Sequence, residues 1–172
     1  RRAVEDGLEG VNVEVVAEEA GVSARTFFNY FPCKEDAVLG LRDPWVDPAM
    51  LESFDIEGDL LAEVSTLMLS VLRTIQGGED SAEQRARIYE AFPHLRHQRY
   101  QYILKVEQLV LETVRNQLAE SRRWREQGPD SGWYGHDVDD VAFTIVLTAS
   151  TRMRYVMQKT WLTPTSTAQF EA

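Results

Sequence analysis

The residues of this chain best suited to recognition chemistry are Arg25, Phe28 and Asn29. Their spacing is i, i+3 and i+4, so a helix over 24–30 would project all three from one face. A guanidinium can bond guanine at two points and a carboxamide can do the same with adenine. A phenyl ring can meet a thymine methyl. Ser23, Thr26, Tyr30 and Lys34 lie close by and suit phosphate oxygens, while Ala24 faces outward beside Arg25. Asn12, just upstream, completes this set of DNA-facing candidates. Other chemistry has thinner support. His94 and His97 are at i, i+3 but have no third ligand at a clear spacing, so no metal is expected. Asp137, Asp139 and Asp140 open a helix, where capping and the helix dipole explain acids. Cys33 has no histidine neighbour to activate it. No nucleophile–base arrangement, glycine-rich phosphate loop or paired-carboxylate site stands out. We therefore expect no catalytic residue, no cofactor and no enzyme.

The elements that must position Arg25, Phe28 and Asn29 are helices. The 172 residues are 44% apolar and 10% aromatic, enough for one or two globular domains and unlike a disordered chain. Strand alternation and hairpin turns are nearly absent, while helical periodicity is strong. A helix is predicted over 13–20, with Asn12 as its N-cap and Val13, Val16, Ala17 and Ala20 on one face. Gly21 breaks it, Ser23 caps a short helix to Tyr30, and Pro32 ends that one. A third helix runs from Cys33 to about Arg42. A helix, a glycine turn and a second short helix form a helix-turn-helix, whose second helix enters the major groove. Val16, Ala17, Val22, Phe27 and Phe31 are its expected core.

Longer helices follow, over 57–76, from Ser81 to Pro93, over 94–123 and over 137–161, with a loop at 124–136. Pro44 and Pro48 mark a boundary. No run is apolar enough to span a membrane, and the start lacks a secretory signal. With a single cysteine, Cys33, the expected compartment is the reducing cytoplasm. The last helix is apolar on nearly all sides, which requires burial on all sides. A homodimer supplies that most economically. Val138, Ala142, Ile145, Val146, Ala149, Met153, Val156 and Met157 are the expected interface. The Arg122-Arg123-Trp124-Arg125 cluster reads as solvated surface.

Over residues 13–40 the chain closely resembles the DNA-binding domain of the tetracycline-repressor (TetR) family. The residues that carry this are Ala20-Gly21-Val22-Ser23, Thr26, Phe27-Phe28, Phe31 and Lys34-Glu35. The resemblance implies an all-α fold in two parts. Residues 1–43 would be a three-helix DNA-binding head, and 44–172 a larger helical bundle for ligand binding and dimerisation. In that family the first helix begins well before Arg1, so the head is expected to lack part of it. Asn12 stands where the family usually has threonine and Cys33 where it usually has serine. Phe28 replaces a common tyrosine, losing a hydroxyl. Function would be that of a ligand-responsive transcriptional regulator, most often a repressor in this family. It would act as a homodimer on a near-palindromic double-stranded operator, with a small-molecule effector.

An effector pocket would be lined from Trp45, Phe54, Met68, Tyr89, Phe92, Tyr100, Ile103, Leu104, Phe143, Leu147 and Tyr155. Plain core packing is the competing reading for each. Such a pocket is apolar with tyrosine handles and favours a hydrophobic effector. Two alternatives stay open. One is a bundle that binds a small molecule beneath a head that no longer binds DNA. The other is a head that binds DNA above a solid core with no ligand. Charge bears on the first. The chain carries −10, and residues 1–42 hold five basic and eight acidic side chains. Weak non-specific binding and strong salt dependence follow.

Overall fold

The computed structural model describes residues 7–75, 82–127 and 137–162. Among these residues the chain forms nine helices and no strand. They are α1 (Val13–Glu19), α2 (Ala24–Tyr30), α3 (Lys34–Leu39), α4 (Pro48–Glu52), α5 (Leu60–Thr74), α6 (Ala82–Ala91), α7 (Leu95–Glu120), α8 (Arg122–Gln127) and α9 (Val138–Leu162). The all-α expectation holds.

Two compact units arise. One joins residues up to Val46 with Val71–Val106; the other joins Asp47–Ser70 with the chain from Glu107. In the first, Leu8, Ala17, Phe27, Leu39, Leu41, Ile75, Leu95, Tyr102 and Val106 are buried. In the second, Val64, Leu67 and Met68 of α5 are buried, as are Val110, Val114 and Leu118 of α7. Each fully buried valine or leucine contributes roughly 1.5–3 kcal/mol. The four-residue repeat at 106, 110, 114 and 118 thus explains why α7 stays helical over 26 residues.

Local features differ from expectation at two places, each for a capping reason. Asp47 accepts from the Ala49 amide at 2.9 Å with Pro48 at the first helical position, so the proline boundary opens α4. The long helix stops at Glu120, because Ser121 Oγ accepts from the Trp124 amide at 3.2 Å and starts α8. Residues 122–127, partly expected as loop, are therefore helical. The glycines at 77, 78, 128, 132 and 135, and Ser81, the expected cap of α6, lie outside the described residues.

In the second unit, Arg154 grips Glu107 through two bonds. Its Nε lies 2.7 Å from Oε1 and its terminal nitrogen 2.6 Å from Oε2. The Asp137 carboxylate accepts from the Asp140 amide at 2.8 Å, the capping role expected of that acidic run.

Candidate DNA-reading head

The head is built from two left-handed turns. After α1, Gly21 takes φ +70°. Its amide donates to the Glu18 carbonyl at 3.0 Å, and the Val22 amide donates to Ala17 at 2.9 Å. This is a Schellman ending, which needs a residue without Cβ strain at the left-handed position. It recurs after α3. There Gly40 has φ 64°, its amide donates to Ala37 and that of Leu41 donates to Asp36. A Cβ added at Gly21 meets nothing within 4 Å, so only backbone strain opposes it. Gly21→Ala is expected to lower stability by about 1–2 kcal/mol in urea unfolding.

Both predicted caps form. Asn12 Oδ1 accepts from the amides of Glu14 at 2.8 Å and Val15 at 3.3 Å. Ser23 Oγ accepts from the Thr26 amide at 3.0 Å, and the two hydroxyls lie 2.9 Å apart. Cys33 occupies the cap position of α3 without a side-chain cap bond. Its thiol is pushed up to about 11, chiefly by burial and further by the Asp36 and Glu35 carboxylates. Alkylation at pH 8 is therefore expected to be slower in the folded than in the unfolded protein, as timed by mass spectrometry.

α2 presents two faces. Phe27 is buried, with Phe28 edge-on at 5.5 Å and Phe31 at 5.6 Å between ring centroids. Arg25, Phe28, Asn29 and Tyr30 are exposed, Phe28 to 49%. Ser23 and Asn12 are exposed, while Ala24, Thr26 and Lys34 are half-buried. The row at i, i+3 and i+4 thus stands free to enter a groove. Val22 departs from the expected core. It is 39% exposed, because the turn that uses its amide directs its side chain outward.

The expected pocket residues differ in burial. Trp45, Tyr100, Leu104, Phe143, Leu147 and Tyr155 are exposed; Met68 and Ile103 are buried core; Phe54, Tyr89 and Phe92 are half-buried. Phe54 lines a cavity of about 30 Å³ with Met50, Ser53, Glu63, Thr66, Leu67 and Ser70. That volume suits a water molecule. The expected interface residues also divide. Ala142, Val146, Ala149 and Met153 are buried within the chain, and Val138 and Ile145 are half-buried. The side chains of Val156 and Met157 lie outside the described residues. Four of the eight are thus already covered, and among the described residues the large apolar side chains that α9 exposes are Phe143, Leu147 and Tyr155.

His94 and His97 are exposed, and His97 lies 3.2 Å from the Gln101 amide nitrogen. Among the described residues no group of three or more His, Cys, Asp or Glu could hold a metal. None of the described helices is long and apolar enough to cross a membrane.

A cluster between α3 and α7 escapes sequence reading. Asp36 of α3 is 2% exposed, and its Oδ1 accepts from Gln98 Nε2 at 2.8 Å. Tyr102, one turn along α7, is buried beside it. Burial first, and then the Asp36 carboxylate, pushes its phenol pKa up. Its hydroxyl lies close enough to Asp36 for the carboxylate to hold the phenol proton, but the contact falls short of full hydrogen-bond geometry. Tyr102→Phe is therefore expected to leave stability unchanged or raise it by up to about 1 kcal/mol in thermal unfolding. The only sequence signal is an acid in the first turn of a short helix, which the dipole already explains.

Residues 3–39 match the family described as bacterial regulatory proteins, tetR family. No curated protein matches the chain, and no solved structure does. The matched segment spans both caps, the Gly21 turn and the whole of α2, which are the features that present Arg25, Phe28 and Asn29. Over its head, then, the chain is similar to the tetR family of bacterial regulatory proteins, which supports a DNA-binding transcriptional regulator.

Proposed function

We propose that the chain acts as a homodimer on a near-palindromic operator, represses transcription there, and releases DNA on binding a hydrophobic small molecule. The observation that carries the DNA half is the free row Arg25–Phe28–Asn29 on a helix capped at its start by Ser23. Two-fold symmetry in the protein would be mirrored in half-sites about one helical turn, roughly 34–36 Å, apart. The exposed apolar residues of α9 supply a surface for the second copy. Release requires that the effector bind one arrangement of the heads better than the other; a coupling of about 1–3 kcal/mol gives roughly 5–150-fold loss of affinity.

A second reading has its own observation. Ligand sites for drug-sized molecules run to about 300–1,000 Å³, and the cavity beside Phe54 is about 30 Å³. At that place the core is nearly filled, as expected of a regulator whose DNA binding needs no ligand. One experiment addresses both readings. Fluorescence anisotropy of the protein with its own upstream DNA, at several salt concentrations, should give saturable, salt-sensitive binding with dimer stoichiometry. Binding no tighter than to random DNA counts against the operator proposal. Release by acyl or aromatic compounds supports the effector; their inertness supports the ligand-independent reading.

A further inference from the structure

Asp36 is an odd residue to bury. A carboxylate at 2% exposure normally has a cation or several donors. Here the geometrically well-formed side-chain donor is the amide of Gln98, 2.8 Å away on α7, with the Cys33 thiol and the Tyr102 hydroxyl also facing the carboxylate. The same amide nitrogen lies 3.6 Å from Cys33 Sγ. Tyr102 and Lys105 follow at i+4 and i+7, so all three share one face of α7. Lys105 Nζ sits 4.3 Å from the Tyr102 ring centroid and 2.6 Å from Asp43 Oδ1. A single stripe thus holds the segment from Asp36 to Asp43 at both ends. The Lys105–Asp43 pair is open to solvent, 47% and 68% exposed, and contributes little. The buried contact at Asp36 is the stronger hold.

That segment governs the reading helix. Only Phe31, Pro32 and Cys33 separate the end of α2 from the start of α3. Phe31 is tied back to Phe27 by its amide at 2.9 Å and by ring contact. The angle of α3 therefore bears directly on that of α2, which also packs on α1. Beyond α3, the Arg42 amide donates to Ile75 at 3.0 Å and the Trp45 amide to Thr74 Oγ1 at 3.2 Å, so the chain has little freedom to compensate. We propose that Gln98 is a positioning residue for DNA reading. By holding the buried Asp36 carboxylate it fixes α3, and through α3 the presentation of Arg25, Phe28 and Asn29. Displacing Gln98 leaves Asp36 buried without its amide donor and frees α2 to reorient.

The inference rests on the reading of the head as DNA-binding, and the test keeps the two apart. Gln98→Glu sets a second carboxylate against Asp36. Adding Asp36→Asn restores the bond with its ends exchanged, the amide now coming from position 36. Gln98→Met, which removes the donor without adding charge, guards against a misfolded first variant. Two readouts are taken: hydrogen exchange of amides 24–39 without DNA, and anisotropy with fluorescein-labelled upstream DNA. Gln98→Glu is expected to speed exchange across 24–39 and weaken DNA binding about tenfold or more, with Gln98→Met shifting both in the same direction. The double variant should return both to near the starting protein. A merely structural contact would lower the melting temperature without this selective recovery in 24–39. Unchanged exchange in both single variants, or no recovery in the double variant, would overturn the proposal. If the starting protein prefers no upstream DNA while exchange follows the expected pattern, the reading of the head fails and the positioning role stands.

Discussion

Arg25→Ala is expected to weaken binding to the operator by about 1–3 kcal/mol, or roughly 5–150-fold, and to relax the preference for one base pair in each half-site. Arg25 is exposed, next to the cap at Ser23, at the end of α2 that enters a groove first. It is the one cation within α2, and the last turn of that helix carries none. The head as a whole has more acids than bases, so its non-specific attraction for phosphate is weak. Removing one bidentate bond to a base should then be felt nearly in full. The comparison that isolates the base-reading role is Lys34→Ala. Taking away a cation that meets phosphate should weaken binding to all sequences alike and reduce the salt slope by about one. An Arg25→Ala protein with wild-type affinity and unchanged base preference would remove Arg25 from the reading face.

Why some of this is legible in the order of residues, and some not, comes down to how local each determinant is. The turn at Gly21 and the caps at Asn12 and Ser23 depend on residues within three or four positions of one another. Such short-range hydrogen bonds leave a direct mark on residue choice. Val22 shows the limit of that logic. Its type suggests core, but its position just after a left-handed glycine leaves it 39% exposed. The start at Asp47-Pro48 and the break at Ser121 are equally local, and both have readable signals: a proline at the first helical position and a serine cap. The first reads equally well as a boundary, and the second is masked by apolar spacing that continues across it. The bond between Gln98 and Asp36 joins residues far apart in the chain, and nothing in the order of residues announces it. Aromatic and aliphatic residues at helical spacing pose another problem. Period marks a face but not what covers it. It therefore places Phe143 and Leu147 inward and Ala142 and Val146 toward a partner, the reverse of their burial.

That reversal bears on the second large effect. Phe143, Leu147 and Tyr155 are 56%, 47% and 58% exposed. With the exposed Thr151 they form a row at every fourth residue of α9. Burying one large apolar side chain contributes roughly 1.5–3 kcal/mol, and a two-fold interface counts each one twice. Leu147→Glu places a charge in the middle of the row on both subunits. It is expected to turn the proposed dimer into a folded monomer, read as halved mass by light scattering with an unchanged helical circular dichroism spectrum. Val146→Glu, one residue away, should behave differently. Val146 is 5% exposed within its own chain, so a carboxylate there goes into the core and lowers the melting temperature sharply. The two variants separate the open face of α9 from the covered one by opposite readouts. DNA then carries the consequence further. A monomer meets only one half-site, so Leu147→Glu should forfeit the affinity that comes from linking two heads while still preferring an isolated half-site over random DNA. A Leu147→Glu protein that stays dimeric and binds the full operator as before would move the subunit interface off this row.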